Sequence, residues 1–226
     1  MSYNIAIDGP AGAGKSTIAK RLAKKLKFLY VDTGALYRAT ALYFLENGID
    51  KNDEDALREA NGKVTLSLAY TKDGQRVYVN GRDVTGLIRT PEVTAMSSAV
   101  SSYGFVRDKI TQSLRRVAAE SDVIMDGRDI GTCVLPDADL KIYLTASADT
   151  RAQRRYDELR AQGENCDYQT IKKEIVRRDS LDKTRSIAPL KKAEDAVCID
   201  SSDLDAKQVV DLVYEMVLTG EKSYKA

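Results

Sequence analysis

The sequence predicts an α/β fold in which helices flank a parallel β-sheet. Two observations support this. Short apolar segments typical of buried strands alternate with longer segments whose apolar residues recur every three to four positions, as on one face of a helix. A glycine-rich loop joins the first strand to the first helix. Because strands that alternate with helices are joined by right-handed crossovers, the expected sheet is parallel.

Five segments are short and mainly apolar, as expected of strands in such a sheet. They are residues 3–8, 28–31, 123–126, 140–144 and 196–200. Helical periodicity predicts the intervening elements, which are residues 15–26, 36–47, most of 90–120, 150–162, 168–181 and 205–218. The expected architecture is therefore five parallel strands flanked by helices.

Residues 64–85 follow a different pattern, because apolar and polar side chains alternate there with a period of two. The pairs Asp73-Gly74 and Asn80-Gly81 are typical of hairpin turns. This predicts a small antiparallel insert at 63–91, which divides the main α/β domain into 1–62 and 92–226.

Basic and acidic side chains nearly cancel, 35 against 34, which gives a formal net charge of +1. This balance gives no support for a nucleic acid or an anionic membrane as the main partner. No apolar run is long enough for a membrane helix, and the first residues lead directly into a strand rather than a signal peptide. We therefore expect a cytoplasmic protein with neither kind of partner.

Cysteine and histidine usage narrows the possible chemistry. The three cysteines at 133, 166 and 198 are far apart, which argues against a disulfide framework or a zinc site. Histidine is absent, so Ser-His-Asp and Cys-His catalysis are excluded. Phosphoryl transfer remains possible, because it depends mainly on positioning and cationic stabilisation.

The loop after the first strand matches the phosphate-loop pattern GxxxxGK[S/T] in full. Its backbone N–H groups can surround phosphate oxygens, Lys15 can span the β- and γ-phosphates, and the Ser16 hydroxyl can hold Mg²⁺. The predicted ATP-binding residues are Gly9, Pro10, Ala11, Gly12, Ala13, Gly14, Lys15, Ser16 and Thr17. No run of four apolar residues ends in a clear metal-binding aspartate, so Asp126 is only a possible outer-sphere partner. The chain also lacks the Asn-Lys-x-Asp motif of GTPases.

Two groups of arginines have helical spacing. Arg178, Asp182 and Arg185 lie at i, i+4 and i+7, which fits either a solvated face with an internal ion pair or an anion site. A second group at 151, 154 and 155 has no acidic residue among its members. Arginines without such compensation indicate a clamp for an anion, and we expect a lid at about 150–170.

Polar residues follow two of the predicted strands. Asp126-Gly127-Arg128-Asp129 comes after the third strand, and Asp32-Thr33-Gly34 comes after the second, with Tyr37 and Arg38 in the next helical turn. Ligands of open α/β sheets bind beyond the carboxyl ends of the strands, although Asp126 and Asp129 could instead cap a helix. These segments are therefore candidates for a second binding site.

Taken together, these segments resemble the bacterial cytidylate kinases of the nucleoside monophosphate kinase group. The resemblance covers nearly the whole chain and is carried by IAIDGPAGAGKST (5–17), DTGALYR (32–38), EVTAMSSAVSSYGFVR (92–107), DGRDIGT (126–132) and RRDSLDKTRSIAPL (177–190). It implies a P-loop kinase fold in which the antiparallel insert binds a monophosphate. It also implies transfer of the ATP γ-phosphate to CMP or dCMP by a monomer that uses Mg²⁺.

The resemblance also implies roles for individual residues. Thr33, Ser98, Arg107, Arg128 and Asp129 would face the cytosine ring and its phosphate, while Tyr37 and Arg38 would line the acceptor site, with Arg38 on the phosphate. The sugar would be held by Arg178 and Asp182. The residues expected to act on the transferring phosphate are Lys15, Arg128, Arg154 and Arg185. The alternatives are a kinase for another small acceptor, such as UMP or shikimate, and a non-catalytic nucleotide-binding regulator.

Overall fold

The computed structural model describes residues 2–72 and 74–220, in two compact units. The core unit comprises Met1–Tyr30 and Ser121–Ala226, and the inserted unit comprises Val31–Glu120. The antiparallel segment predicted at 63–91 falls in the inserted unit. The role of this segment in monophosphate binding stays a prediction. The predicted domain boundaries, after residue 62 and before residue 92, also stay a prediction. Residues 221–226 of the predicted main domain lie outside the described residues.

The chain contains eight strands, eight α-helices and a short π-helix within the described residues. In chain order they are β1 (Asn4–Asp8), α1 (Lys15–Leu26), β2 (Leu29–Asp32), α2 (Thr33–Glu46), α3 (Glu54–Lys63), β3 (Leu66–Thr71), β4 (Gly74–Val79), β5 (Arg82–Asp83), α4 (Pro91–Val100), α5 (Gly104–Glu120), β6 (Val123–Gly127), the π-helix (Ile130–Val134), β7 (Leu140–Thr145), α6 (Ala148–Ala161), α7 (Tyr168–Thr184), β8 (Val197–Asp200) and α8 (Ala206–Thr219).

The predicted fold class is confirmed. Five strands form one sheet in the order β2-β6-β1-β7-β8. The central strand β1 pairs in parallel with β6, where Ile5 lies opposite Ile124, and with β7, where Ile7 lies opposite Ile142. The loops that follow β1 and β6 therefore leave the same edge of the sheet, where ligands of α/β proteins bind.

The inserted unit carries the antiparallel sheet β3-β4-β5 that the alternating pattern predicts. Leu66 pairs with Val79 and Thr71 with Gly74, so the hairpin turns between residues 71 and 74. Asp73 of the predicted Asp73-Gly74 turn lies outside the described residues. In the second predicted turn, both Asn80 and Gly81 have positive φ, as a tight hairpin requires.

Besides the π-helix, which is not predicted, two helical segments of the inserted unit differ most from the prediction. The segment 90–120 forms two helices, because the chain turns at residues 101–103 between α4 and α5. The helix α3 is not predicted, because only Leu57, Ala60 and Asn61 of its ten residues are buried, so its apolar face is short. Its N-cap is nevertheless conventional, since the Asp53 side chain accepts from the Ala56 amide.

An apolar cluster fills the space between the sheet and the helices α1 and α8 in the core unit. Ile5 and Ile7 of β1 are fully buried in it, together with Leu22 of α1 and Val213 of α8. This packing fixes the start of α1 relative to the end of β1. Among the described residues, no helix is long and apolar enough to cross a bilayer.

Candidate functional site

The glycine loop between β1 and α1 is shaped to bind phosphate. Gly9, Gly12 and Gly14 have φ values of 147°, 76° and 87°, which L side chains rarely adopt. Gly14 is the N-cap of α1 and makes no side-chain cap, and the first turn of α1 has no acidic residue. The amide groups at this helix start therefore point toward a site that favours an anion.

We expect that Gly9→Ala destabilises the core unit, because an added Cβ would lie 2.0 Å from the carbonyl oxygen of Leu144. The clash and the positive φ together should lower the free energy of unfolding by roughly 2–4 kcal/mol in urea denaturation. The matched control is Gly62→Ala in α3, where a Cβ meets nothing within 4 Å. This control should leave stability unchanged or slightly raised. Equal unfolding free energies for Gly9→Ala and the wild type would contradict the expectation.

Lys15 is buried at the first position of α1, and its Nζ donates to the carbonyl oxygen of Pro10 at 2.7 Å. Burial lowers the pKa of this ammonium well below its usual range, and the nearby Arg128 lowers it further. The charges of Asp126 and Asp8 oppose this shift. A phosphate chain in the loop would supply the anion that this buried cation lacks.

Ser16 lies beside a carboxylate suited to a metal site. Its Oγ donates to Oδ2 of Asp126 at 3.1 Å, while the Tyr30 hydroxyl donates to Oδ1 of the same carboxylate at 2.8 Å. Asp126 follows only three apolar residues of β6, one fewer than the run of four that would identify a metal-binding aspartate from the sequence. The hydroxyl and carboxylate oxygens fit Mg²⁺, which keeps several waters and binds few protein ligands. Among the described residues, no group of three or more acidic, cysteine or histidine side chains is placed so that it could hold a metal ion.

Asp8, at the end of β1, is a buried polar residue that the sequence interpretation missed. Its two carboxylate oxygens accept from the amides of Ile130 and Gly131 at 2.8 and 2.7 Å. Burial raises the pKa of Asp8 to about 6, although these two hydrogen bonds act in the opposite direction. Asp8 thus anchors the start of the π-helix that follows Asp129. One feature of the sequence could have identified Asp8 as a site residue, because it is a charged residue at the end of an apolar strand, directly before the glycine loop.

The structure brings four predicted site residues of the core unit together. Arg128 Nε donates to Oδ2 of Asp182 at 2.7 Å. Arg185 lies 3.4 Å from Oδ1 of Asp129 and 4.0 Å from Oδ1 of Asp182. The Asp182 and Arg185 side chains are only 14% and 11% exposed, so the alternative of a solvated ion-pair face is wrong for them.

Arg185 differs from its predicted position in one respect. The helix α7 ends at Thr184, and Arg185 is its C-cap with an extended ψ of 141°. Its Nε donates to the carbonyl oxygen of Ala188 at 2.6 Å, which directs the guanidinium back toward Asp182 and Asp129. The expected helical face therefore holds for Arg178 and Asp182. Arg178 is exposed, and its charge contributes to the lowered pKa of Lys15.

The sequence predicts that the arginines at 151, 154 and 155 of α6 have no acidic partner. This prediction is wrong for Arg151 and Arg155. Arg151 pairs with Asp179 of α7 at 2.7 Å, and Arg155 pairs with Glu158 at 2.7 Å. Arg154 donates to the Oγ of Ser201 at 3.1 Å. Spacing along one helix reveals only partners on that helix, whereas Asp179 contacts Arg151 from the helix α7. The catalytic role of Arg154 stays a prediction.

Arg151 also contacts the glycine loop. Its Nη1 donates to the carbonyl oxygen of Ala11 at 2.9 Å, and its Cβ lies 3.2 Å from where a Cβ on Gly12 would be. Its Nε donates to the carbonyl oxygen of Ala146 at 2.9 Å. The guanidinium therefore braces the loop from the side of α6 as a structural contact.

The remaining predicted residues lie in the inserted unit, on α2, α4 and α5. Thr33 is buried at the first position of α2, and Arg38 pairs with Asp32 at 2.9 Å. The Arg107 guanidinium is buried over the Tyr37 ring, 5.3 Å from its centroid. The exposed residue Ser98 lies on α4. The inserted unit therefore contains groups that can recognise a nucleotide base and its phosphate. These are one aromatic ring, two guanidinium groups and two aliphatic hydroxyls.

Comparison with known proteins shows the family of this chain. A family model described as Cytidylate kinase matches residues 5–219. The cytidylate kinase of Carboxydothermus hydrogenoformans is 48% identical over 94% of this chain and 96% of its own length. That of Bacillus subtilis is 46% identical over 95% of this chain and 96% of its own length. An uncharacterised protein from Eubacterium ventriosum, 14% identical, shares the fold with a TM-score of 0.56 over 96% of this chain and 99% of its own. The chain therefore belongs to the cytidylate kinase family.

Proposed function

We propose that this protein transfers the γ-phosphoryl group of ATP to CMP or dCMP, giving ADP and CDP or dCDP. The observation that carries the proposal is the match of the cytidylate kinase family model along residues 5–219. This range includes both the glycine loop and the network of Arg128, Asp182 and Arg185. We also propose that the protein acts as a monomer in the cytoplasm, on small nucleotides alone.

The donor nucleotide is proposed to bind residues 9–17. The loop amides and the start of α1 receive the phosphates, and the buried Lys15 ammonium lies against the transferring group. Ser16 and Asp126 would hold Mg²⁺. When bound there, Mg²⁺ supplies Lewis-acid stabilisation of the phosphate oxygens. Lys15, Arg154 and Arg185 are proposed to offset negative charge that develops in the transition state.

The acceptor nucleotide is proposed to bind the polar groups that follow the strands. Arg128 and Asp129 would contact the acceptor, while Arg178 and Asp182 would hold its sugar. Their support is the buried network in which Arg128 and Arg185 already contact the carboxylates of Asp182 and Asp129. In the inserted unit the proposed contacts are Thr33, Tyr37, Arg38, Ser98 and Arg107.

The proposed reaction requires no general base. The attacking group is an oxygen of the acceptor phosphate, which is already ionised near neutral pH, so no proton has to be removed from it. This agrees with a chain that contains no histidine. The protein's contribution is then to orient two phosphates, exclude water and present cations.

An acceptor panel tests the proposed function. ADP release from ATP and Mg²⁺ would be measured in a coupled assay with CMP, dCMP, UMP or shikimate, and without any acceptor. We expect CMP and dCMP to be used with far higher kcat/KM than UMP, and shikimate to give only the background of the acceptor-free reaction. Preference for UMP or shikimate would reassign the acceptor. Tight ATP binding without turnover of any acceptor would instead favour a regulator.

A further inference from the structure

The segment of residues 128–129, which carries two of the proposed acceptor contacts, is fixed at both of its ends by the strand β1. Before the segment, Gly127 of β6 lies opposite Asp8 of β1 in the parallel ladder. After the segment, the Asp8 carboxylate accepts from the amides of Ile130 at 2.8 Å and Gly131 at 2.7 Å. One residue of β1 therefore sets both where the segment begins and where it ends.

The same residue is joined to the phosphate loop. Asp8 is the last residue of β1, and Gly9 follows it with a φ of 147°. In the sheet, Asp8 pairs with Gly127 on one side and with Tyr143 of β7 on the other. A Cβ on Gly9 would lie 2.0 Å from the carbonyl oxygen of Leu144, so the backbone there packs directly against β7. The carboxylate of Asp8 thus connects a fixed point beside the donor loop to the segment 128–129.

The contact uses both oxygens of the Asp8 carboxylate. Asp8 is only 4% exposed and forms no ion pair with a described residue. The nearby ammonium of Lys141 instead donates to the two carboxylate oxygens of Asp195 at 2.9 and 2.8 Å. A buried carboxylate is costly unless hydrogen bonds compensate it, and here the two amides do so. Asparagine offers one oxygen and one NH₂ group, so it could accept from only one of these amides.

The backbone beyond the segment is confined from two sides. A Cβ at Gly131 would lie 3.1 Å from Cδ of Lys141 and 3.4 Å from Oδ2 of Asp8. The carbonyl oxygen of Asp129 accepts from the amide of Cys133 at 2.8 Å and so begins the π-helix. The amides that Asp8 binds therefore belong to a backbone with little space to move.

The side chains of the segment have partners of their own. Arg128 donates to Asp182 at 2.7 Å, and Arg185 lies 3.4 Å from Oδ1 of Asp129. These contacts orient the side chains, but they do not fix the backbone from which the side chains project. Because a misplacement of about 1 Å in a substrate-positioning group can cost roughly 100-fold in rate, the backbone anchor is a separate requirement.

We propose that Asp8 is a positioning residue for the acceptor site. Its carboxylate holds the backbone of the segment 128–129 in the position from which Arg128 and Asp129 meet the acceptor nucleotide, at a fixed place relative to the donor loop. This inference rests on the proposed function. It adds a residue at the end of the donor-side strand that acts on binding of the acceptor.

The first test is Asp8→Asn, in steady-state kinetics and in calorimetric binding of CMP and of ATP. The variant should raise KM and Kd for CMP roughly 10- to 100-fold, because a hydrogen bond to a charged group is lost and the segment shifts. KM and Kd for ATP should keep their wild-type values, since the phosphate loop itself is unchanged. A smaller folded fraction would instead lower kcat and leave both KM values as they are.

A double-mutant cycle shows whether Asp8 acts through the segment. Arg128→Ala removes one of the acceptor contacts whose position Asp8 sets. Asp8→Asn should therefore raise Kd for CMP by a smaller factor in the Arg128→Ala background than in the wild type, because coupled residues are not additive. The same factor in both backgrounds would overturn the inference.

Asp139→Asn is the matched control. Asp139 also accepts from a backbone amide of β1, that of Asn4 at 2.7 Å, but at the opposite end of the strand. This variant should keep the wild-type KM for CMP. The inference is overturned if Asp139→Asn and Asp8→Asn raise KM for CMP equally, or if Asp8→Asn raises KM for ATP as much as KM for CMP.

Gly131→Val disturbs the same contact from the other side and decides the question if Asp8→Asn does not fold. Its added atoms would push the amide away from the carboxylate, so KM for CMP should rise while KM for ATP does not. A wild-type KM for CMP in either folded variant would overturn the inference alone. Failure of the wild type to phosphorylate CMP would overturn the proposed function itself, and this inference with it.

Discussion

Replacing Lys15 by alanine is expected to abolish phosphoryl transfer while the protein stays folded. The buried ammonium is the cation at the first position of α1, directly behind the glycine loop. Loss of a positioned cation from a water-excluded site removes stabilisation of developing charge, so kcat should fall by on the order of 10³-fold or more. The measurement is ADP release with saturating CMP, ATP and Mg²⁺.

Stability should respond quite differently to this substitution. Burial opposes the charged form of Lys15, and the side chain donates a hydrogen bond to the carbonyl oxygen of Pro10 within its own loop. Removing it should therefore not lower the melting temperature substantially. Lys24→Ala is the matched control, because Lys24 is an exposed lysine of the same helix. It should retain full activity. An active Lys15→Ala enzyme would remove the basis for assigning the chemistry to this loop.

Arg151→Ala is expected to cause the largest loss of stability among charged-residue substitutions in the core unit. Arg151 and Asp179 form a 2.7 Å ion pair with side chains only 7% and 12% exposed. Oδ1 of Asp179 is already buried without a hydrogen-bond partner within the described chain. Truncation of Arg151 would leave an uncompensated buried carboxylate, which costs about 3–5 kcal/mol. Urea denaturation of the two proteins at neutral pH measures this difference.

The same substitution should also weaken ATP binding, because Arg151 donates to the carbonyl oxygen of Ala11 in the glycine loop. Arg155→Ala is the control on the same helix. Arg155 pairs with Glu158 at the surface, so its loss should change stability by less than about 0.5 kcal/mol. The double variant Arg151→Met/Asp179→Leu should recover much of the lost stability, since neither charge is then left buried alone. Equal effects of Arg151→Ala and Arg155→Ala would contradict the role assigned to this ion pair.

Elements with local signals could be predicted closely. The helix α1 is predicted at 15–26 and observed at Lys15–Leu26, because its apolar spacing and the glycine before it are both local features. The hairpin of β3 and β4 follows equally from alternation and turn residues. The helix α3 gives a shorter signal, because its buried face consists of only three residues among ten.

The candidate site divides in a similar way. The glycine loop could be predicted in full, because its eight consecutive residues carry both the backbone freedom and the charge that phosphate binding needs. The contact of Ser16 with Asp126 could not, since 110 positions separate them and only the parallel pairing of β1 with β6 brings them together. The same holds for Asp8, whose partners at Ile130 and Gly131 lie far along the chain.

By itself, the sequence determined the α/β class, the phosphate loop and the resemblance to cytidylate kinases, because each of these depends on residues that are neighbours in the chain. The tertiary structure decided which charges are compensated. It paired Arg151 with Asp179, placed Arg185 beside Asp129 and brought Arg89 to the carboxylate that also holds Arg38. The physical reason is that an ion pair depends on distance and burial, and the packing of helices and strands from distant parts of the chain sets both.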